Sequence, residues 1–182
     1  MTFNTLPKFA GKFFNWLSRI SCGSLVMLAF AAPLQAVDML YVTLYNHSIE
    51  SYDTSGNIGA TIAASVATFA NTGMYYPNGL AFDSSSNLYV ANILGNYITK
   101  FNSSGEKVSY ISSNLSAPIG LAFDTSVNLY ATNPSGSHSN TISKFNSSGE
   151  YVSNISSNLT SPTGLAFDTS GNLYAANANN GL

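Results

Sequence analysis

Two long stretches of the chain are almost the same sequence. Residues 100–131 and residues 144–175 match at 26 of 32 aligned positions and lie 44 residues apart. A shorter copy, PNGLAFD at residues 77–83, precedes PIGLAFD at residues 118–124 by 41 residues. The chain must therefore build one structural unit several times, and this repeat limits the possible folds more than any other feature.

One repeat contains four short segments with strand character. They are rich in Tyr, Phe, Val, Ile and Thr and are bounded by Asn, Asp, Ser or Gly. The predicted strands are Gly79–Phe82, Asn87–Ala91, Tyr97–Phe101 and Lys107–Ile111. Four strands in a repeat of this length are typical of a β-propeller blade. The predicted fold class is therefore all-β, with propeller blades of four antiparallel strands.

The number of repeats predicts an incomplete propeller. Closed propellers have about four to eight blades, and residues 37–182 suffice for little more than three. No PxGLAFD motif precedes the strand-like residues 39–43, so we expect the chain to begin inside a blade and to lack that blade's inner strand. It also ends soon after a second strand, at residues 173–177. We expect an open arc, either because the chain is a fragment of a longer protein or because copies associate to complete the ring.

The first 36 residues have the order of a secretory signal. Basic residues and no acids occupy residues 1–19, an apolar run follows at residues 20–34, and Ala36 offers a small residue for cleavage. The run is short for a membrane span, which needs roughly 20 residues. The predicted domains are a signal peptide at 1–36 and a partial propeller at 37–182. A cleaved signal predicts a secreted, periplasmic or cell-surface protein that is not an integral membrane protein, whereas an uncleaved signal would act as an anchor helix.

Charge narrows the range of partners for the predicted mature chain. Residues 37–182 contain three lysines, no arginine, no cysteine and eight acidic residues. Nucleic-acid binding is not expected, because it requires clustered Lys and Arg to neutralise phosphates. A protein, a glycan or a small molecule remains as a possible partner, and the sequence does not choose among them.

Aspartates recur at one position in each repeat, namely Asp83, Asp124 and Asp168. Each begins a turn between the first and second strands, where an Asp side chain accepts backbone N–H groups and a Gly near the end supplies positive φ. The last repeat has Gly171 at that later position, but another repeat has Val127. We therefore interpret the aspartates as turn residues, and expect that the Val127 turn is either different or strained.

Asparagines recur at the end of the second strand, at Asn92, Asn133 and Asn177. We expect each side chain to bind the backbone of the next loop, with ligand contact as the alternative. The two histidines, His47 and His138, lie in polar loops and are interpreted as surface residues. No nucleophile motif accompanies them, so no catalytic residue is assigned.

The segment PNGLAFDSSSNLYVAN, followed by ITKFNSSG, resembles an NHL repeat and also a blade of the SMP-30/gluconolactonase group of propellers. The resemblance covers residues 39–177. The hydrolases of the second group use the Asn of a Pro-Asn-Gly turn as a calcium ligand, and Asn78 is the residue here that matches it. Ile119 and Thr163 occupy this position in the other repeats. The sequence therefore predicts no cofactor, and the resemblance implies calcium as the alternative, with Asn78 as its candidate ligand.

Three functions are compatible with these observations. The first is an exported propeller that acts as a scaffold or binding module without catalysis. The second is a calcium-dependent lactonase or hydrolase of the gluconolactonase type, which requires further oxygen ligands around Asn78. The third is a structural repeat protein of the cell surface. The fold alone does not distinguish them, because propellers serve all three purposes.

Overall fold

The computed structural model describes residues 29–30, 39–44, 48–53 and 67–178, and in the first three of these ranges it describes side chains only for Ile49 and Glu50. This part of the chain is all-β and contains no helix. Accordingly, none of its elements is an apolar helix long enough to span a membrane. The predicted all-β fold class is confirmed.

Within the described ranges, fourteen strands form four antiparallel sheets, which we call blades 1 to 4 in chain order. In every blade the strands are arranged in the order in which they occur in the chain. Blade 1 contains β1 (Ala29–Phe30), β2 (Met39–Leu44), β3 (Ser48–Asp53) and β4 (Ala67–Ala70); blade 2 contains β5 (Pro77–Phe82), β6 (Leu88–Asn92), β7 (Tyr97–Phe101) and β8 (Lys107–Ile111); blade 3 contains β9 (Leu121–Phe123), β10 (Leu129–Asn133), β11 (Thr141–Phe145) and β12 (Tyr151–Ile155); blade 4 contains β13 (Pro162–Phe167) and β14 (Leu173–Asn177).

Blades 2 and 3 have matching registers. Tyr89 of β6 lies opposite Lys100 of β7, and Tyr130 of β10 lies opposite Lys144 of β11. In both blades the register between the third and fourth strands shifts at the phenylalanine that ends the third strand. The predicted third and fourth strands of blade 2 are confirmed residue for residue.

The expectation that blade 1 lacks an inner strand is wrong. Ala29 pairs with Tyr41 and Phe30 pairs with Leu40, so β1 is the inner strand of this blade. The equivalent pairs in blade 2 are Ala81 with Tyr89 and Phe82 with Leu88. Residues 28–30 have the sequence Leu-Ala-Phe, as residues 80–82 do, but they lie within the apolar run that we assigned to the signal. The rest of residues 1–36 lies outside the described residues, and the signal peptide stays a prediction.

Aromatic side chains hold consecutive blades together. Tyr89 of blade 2 packs edge-on against Phe123 of blade 3, with ring centroids 4.9 Å apart, and Tyr130 of blade 3 packs in the same way against Phe167 of blade 4 at 5.1 Å. The phenylalanines that end the third strands, Phe101 and Phe145, are completely buried. Burial of such side chains is the main favourable term in folding a sheet protein of this kind.

Glycines allow the inner strands to approach each other. A Cβ at Gly79 would clash with the carbonyl oxygen of Ile119, and a Cβ at Gly120 would clash with the carbonyl oxygen of Thr163. At Gly164, in blade 4, the nearest atom to such a Cβ would be the Cβ of Ala176 at 3.7 Å. The glycine of each PxGLAFD motif is therefore the site where the following blade packs, and the arc is open after blade 4 among the described strands.

Candidate functional site

At one end of the blades, two kinds of loop lie side by side. One precedes the inner strand of each blade, and the other follows its second strand. The recurring asparagines connect these loops. Asn92 accepts a hydrogen bond from the backbone N–H of Tyr75 (2.7 Å), and Asn133 accepts one from Ser116 (2.9 Å). The backbone N–H of Thr160 donates to Asn177 in the same way, at 3.0 Å. The asparagines therefore bind loop backbone, as predicted. However, the loop in each case is not the next one but the earlier one that precedes the inner strand of the same blade.

A hydroxyl on the third strand completes this connection. The side-chain amide of Asn92 donates to Thr99 Oγ1 at 3.0 Å, and the Thr99 hydroxyl donates to the carbonyl of Gly73 at 2.6 Å. In blade 3 the side-chain amide of Asn133 donates to Ser143 Oγ at 2.9 Å. The Ser143 hydroxyl in turn donates to the carbonyl of Asn114 at 2.6 Å. Asn92 and Asn133 are fully buried, so these bonds satisfy polar groups that water cannot reach.

The recurring aspartates cap turns at the opposite end of the blades. Asp124 Oδ1 accepts the backbone N–H groups of Ser126 and Asn128 at 2.9 and 2.8 Å, and its Oδ2 accepts the side-chain amide of Asn128 at 2.8 Å. Asp83 and Asp168 make the same three bonds. These side chains are part of the turns, and each serves a different turn, so they do not converge on a ligand.

Two lysines pair with these aspartates. Lys100 Nζ lies 3.8 Å from Asp83 Oδ2 and 5.1 Å from the centre of the Tyr89 ring. Lys144 Nζ lies 3.9 Å from Asp124 Oδ2 and 5.2 Å from the centre of the Tyr130 ring. The interaction with the Tyr130 hydroxyl raises the pKa of Lys144. Both lysines thus belong to the framework of their blades.

Hydrogen bonds set the protonation of two aspartates. Burial alone would raise the pKa of Asp124, but the bonds that its carboxylate accepts from Asn128, Ser126 and Tyr130 outweigh this and lower the pKa below the ordinary 3.8. The bonds from Asn172, together with those from Ser170 and Tyr174, lower the pKa of Asp168. Both side chains are therefore ionised at neutral pH and act only as acceptors.

Asn78, the candidate calcium ligand, lies on β5 and is buried. It precedes Gly79, so it stands where blade 2 approaches Ile119 of blade 3. Among the described residues no three His, Cys, Asp or Glu side chains are close enough together to hold a metal ion. The recurring aspartates and asparagines are all engaged in hydrogen bonds at turns and loops. The metal assignment to Asn78 stays a prediction.

His138 takes part in a polar cluster that sequence reasoning missed. Its Nδ1 lies 3.1 Å from Ser137 Oγ and 3.3 Å from Ser116 Oγ, and the two serine oxygens are 3.0 Å apart. Ser116 is buried, and its backbone N–H is already bound by Asn133. The cluster ties the loop of residues 134–140, which is longer than its equivalent in blade 2, to the loop that enters β9. His47 lies outside the described residues.

An exposed apolar surface lies at the loop end of blade 2. Tyr75, Tyr76 and Leu94 are each 40–54% exposed, and the rings of Tyr75 and Tyr76 are edge-on with centroids 5.5 Å apart. Ile93 donates its N–H to the carbonyl of Tyr76 at 3.0 Å, so the two loops that carry these side chains are joined. Large apolar side chains that are grouped on loops joined by hydrogen bonds are typical of a binding surface.

Comparison with known proteins supports the fold. The chain is similar to the structure of virginiamycin B lyase from Staphylococcus aureus, with 19% identity over 82% of this chain and 47% of that chain and a TM-score of 0.56. It is also similar to hydrazine synthase from Kuenenia stuttgartiensis, with 17% identity over 88% of this chain and 46% of that chain and a TM-score of 0.61. The fold is that of a β-propeller.

These likenesses reach no further than the fold. A streptogramin B lyase structure matches with 14% identity over 85% of this chain and 54% of that chain, with a TM-score of 0.56. The propeller described here thus spans about half the length of the structures that it matches. No protein-family model matches the sequence, and no curated protein sequence matches it. A propeller fold does not by itself determine a function.

Proposed function

We propose that the chain is an exported, non-catalytic β-propeller of the NHL or SMP-30-like type that serves as a scaffold or binding module. The observation that carries this proposal is the use of the recurring polar side chains. Each recurring aspartate caps a turn, and each recurring asparagine holds a loop. Side chains that are engaged in this way stabilise blades and are not available as ligands or as acid–base groups.

The surface of Tyr75, Tyr76 and Leu94 supports the binding part of the proposal. Tyrosine rings on loops supply contact area with little loss of side-chain freedom, and they bind proteins, glycans and small molecules alike. The equivalents of Tyr75 in blades 3 and 4 are Ser116 and Thr160, so this surface belongs to blade 2 and is not a requirement of the blade fold. The order of charge and hydrophobicity in residues 1–36 supports export, in a secreted, periplasmic or cell-surface location.

The competing proposal is a calcium-dependent lactonase, and Asn78 within Pro77-Asn78-Gly79 is the observation that favours it. Calorimetric titration of the full-length chain with calcium chloride, together with an assay of lactone hydrolysis, separates the two. We expect neither calcium binding nor hydrolysis. Saturable calcium binding and lactone hydrolysis that are both lost in Asn78→Thr, which installs the residue found at position 163, would establish the hydrolase instead.

Export is tested separately. Cell fractionation followed by mass spectrometry of the exported chain should give an N-terminus near Val37. Recovery of the chain with Met1 in the membrane fraction would contradict export with cleavage and would indicate an anchor. Cleavage at this point would also remove β1, so the mature blade 1 would present the free edge of β2.

A further inference from the structure

Four tyrosines of blade 2 form two pairs at its loop end. Tyr75 and Tyr76 lie in the loop that precedes β5, with ring centroids 5.5 Å apart. Tyr97 of β7 and Tyr110 of β8 have ring centroids 4.9 Å apart. In both pairs one ring stands edge-on to the other. We call these four residues, together with Lys107 at the start of β8, the tyrosine–lysine surface.

Gly73 brings the two pairs together. A Cβ at Gly73 would lie 3.1 Å from the hydroxyl oxygen of Tyr110 and 2.8 Å from Lys107 Cδ. Tyr75 follows two residues later, so its Cα lies within about 7 Å of that of Gly73. The Thr99 hydroxyl donates to the carbonyl of Gly73 at 2.6 Å and fixes this loop against the third strand. The two pairs therefore form one surface on a supported loop and sheet.

The blade fold does not require these side chains. Blade 3 has the same register between its second and third strands, but it has a small or polar residue at each of the four tyrosine positions. The residues there are Ser116, Ala117, Thr141 and Asn154. The equivalent of Lys107 is Tyr151. All five side chains thus differ between two blades of matching register, which is expected of a function that is located on blade 2.

Lys107 differs from the other two lysines of the described chain, each of which lies beside an aspartate. No described carboxylate lies within 4.0 Å of its Nζ. This Nζ instead donates to the Tyr110 hydroxyl at 3.2 Å and lies 4.7 Å from the centre of that ring. The carboxylate of the adjacent Glu106 accepts the side-chain amide of Asn102 at 2.8 Å. An ammonium group has several N–H donors, so Lys107 can bind an anion from solution.

The tyrosine–lysine surface is open to solvent. Tyr75, Tyr76 and Tyr110 are each 40–47% exposed. The apolar side chains that dominate binding to a protein partner usually fill closed pockets, which favours a different ligand here. A sugar ring can lie on an exposed tyrosine, with its C–H groups against the ring and its hydroxyl groups near the phenol oxygen. The tyrosines therefore favour a glycan, and the ammonium group of Lys107 favours one that carries negative charge.

We propose that the tyrosine–lysine surface binds an acidic polysaccharide whose sugar residues carry carboxylate groups. The tyrosine rings contact the apolar faces of the sugars, and Lys107 binds a carboxylate by a charge-assisted hydrogen bond. Lys107 thereby selects an acidic glycan over a neutral one. The inference rests on the proposed function, since it names the partner of the binding module, and export would bring the chain to polysaccharides outside the cell.

The test uses the full-length chain and two fluorescently labelled probes, oligogalacturonate and oligosialic acid. Each is compared with its methyl ester, which retains the sugar rings but not the charge. Fluorescence anisotropy is measured in about 0.15 M salt, where a Debye length of about 8 Å screens remote acidic side chains. At least one acidic probe should bind saturably. Its ester should bind about tenfold more weakly, the usual effect of losing one charge-assisted contact.

Matched variants of the chain locate the site. Lys107→Gln should weaken binding of the acidic probe by about tenfold and leave binding of the ester unchanged. Tyr110→Asn, which installs the residue found in blade 3, should weaken binding of both by about fivefold, because it removes a ring. Tyr151→Asn removes an exposed tyrosine of blade 3 and should leave binding unchanged.

Four results would overturn the proposal. These are no saturable binding of either acidic probe, equal affinity for acid and ester, affinity unchanged in both Lys107→Gln and Tyr110→Asn, and tighter binding of a hexaglutamate peptide than of either glycan. The last would indicate an acidic polypeptide as the partner. Failure of glycan binding with no lactonase activity would leave the proposed non-catalytic role intact, whereas calcium-dependent hydrolysis by a chain that binds the acidic probe would remove that role alone.

Discussion

The carbonyl oxygen of Ile119 occupies the space that a Cβ at residue 79 would need, so Gly79 is the contact point between blades 2 and 3. The same relationship joins Gly120 to Thr163 one blade later. The glycine of the PxGLAFD motif is thus explained by packing between blades and not by its own backbone angles. Its replacement should separate neighbouring blades without altering the turns.

Gly120→Ala should lower the free energy of unfolding by roughly 2–3 kcal/mol, because the added methyl group forces the inner strands of blades 3 and 4 apart. Gly164→Ala is the matched control, since its Cβ would make an ordinary contact of 3.7 Å with Ala176. This second change should alter stability by less than about 1 kcal/mol. Urea unfolding of the two variants measures the difference, and equal effects would show that the blades do not pack through this glycine.

Val127 should be a strained residue whose replacement by glycine is tolerated. Its φ is 61°, in the left-handed region that β-branched residues avoid, and its N–H closes the turn on the carbonyl of Asp124 at 3.0 Å. Val127→Gly should leave stability unchanged or raise it by about 1 kcal/mol, because relief of strain competes with the greater freedom of glycine in the unfolded chain. Chemical denaturation monitored by circular dichroism gives this value.

The reverse change at Gly171 provides the control. Gly171 has φ 84° in the equivalent turn, and no atom lies within 4 Å of a Cβ built there. Gly171→Val should therefore cost about 1–2 kcal/mol from backbone strain alone. If Val127→Gly destabilised the protein by more than about 1 kcal/mol, the contribution of the half-buried valine side chain would exceed the strain, and our account of this turn would be wrong.

Acid should remove part of the stability that Asp124 provides. The folded-state pKa of this residue lies below its ordinary value of 3.8. A group of this kind stabilises the fold above its unfolded pKa, and the contribution is lost as the pH falls through the folded pKa. Wild type should therefore be more stable than Asp124→Asn at neutral pH, and the gap should close below the ordinary pKa. The gap will be small, since solvent reaches the carboxylate. A gap that stays constant into acid would contradict this assignment.

The repeats allowed the blade to be predicted, because strand and turn preferences act over a few residues. The third and fourth strands of blade 2 and the turn role of Asp83 follow from local sequence alone. The sequence allowed either a different turn or a strained residue at Val127. Its positive φ shows that the turn is the same as in the other repeats and that the residue is strained. Here the surrounding hairpin fixes the backbone against the preference of a single residue.

Contacts between distant parts of the chain could not be predicted. The inner strand of blade 1, Ala29–Phe30, lies in the apolar run of a segment that has the charge and hydrophobicity order of a signal. Only its pairing with β2 shows that it is a strand of this blade. Similarly, the contact of Ser116 with His138 joins residues 22 positions apart, and His138 lies in a loop that is longer than its equivalent in blade 2. Local preferences contain no information on either pairing.

The central claim is that the recurring asparagines hold the fold together and do not form a ligand site. The most direct test is the free energy of unfolding of Asn133→Ala, measured with urea and compared with that of Asn177→Ala. We expect a loss of about 1–3 kcal/mol for Asn133→Ala, since it leaves the buried Ser116 N–H without its acceptor and removes the bond that Ser143 Oγ accepts, and a smaller loss for the more exposed Asn177. Stability equal to wild type in Asn133→Ala would contradict the claim.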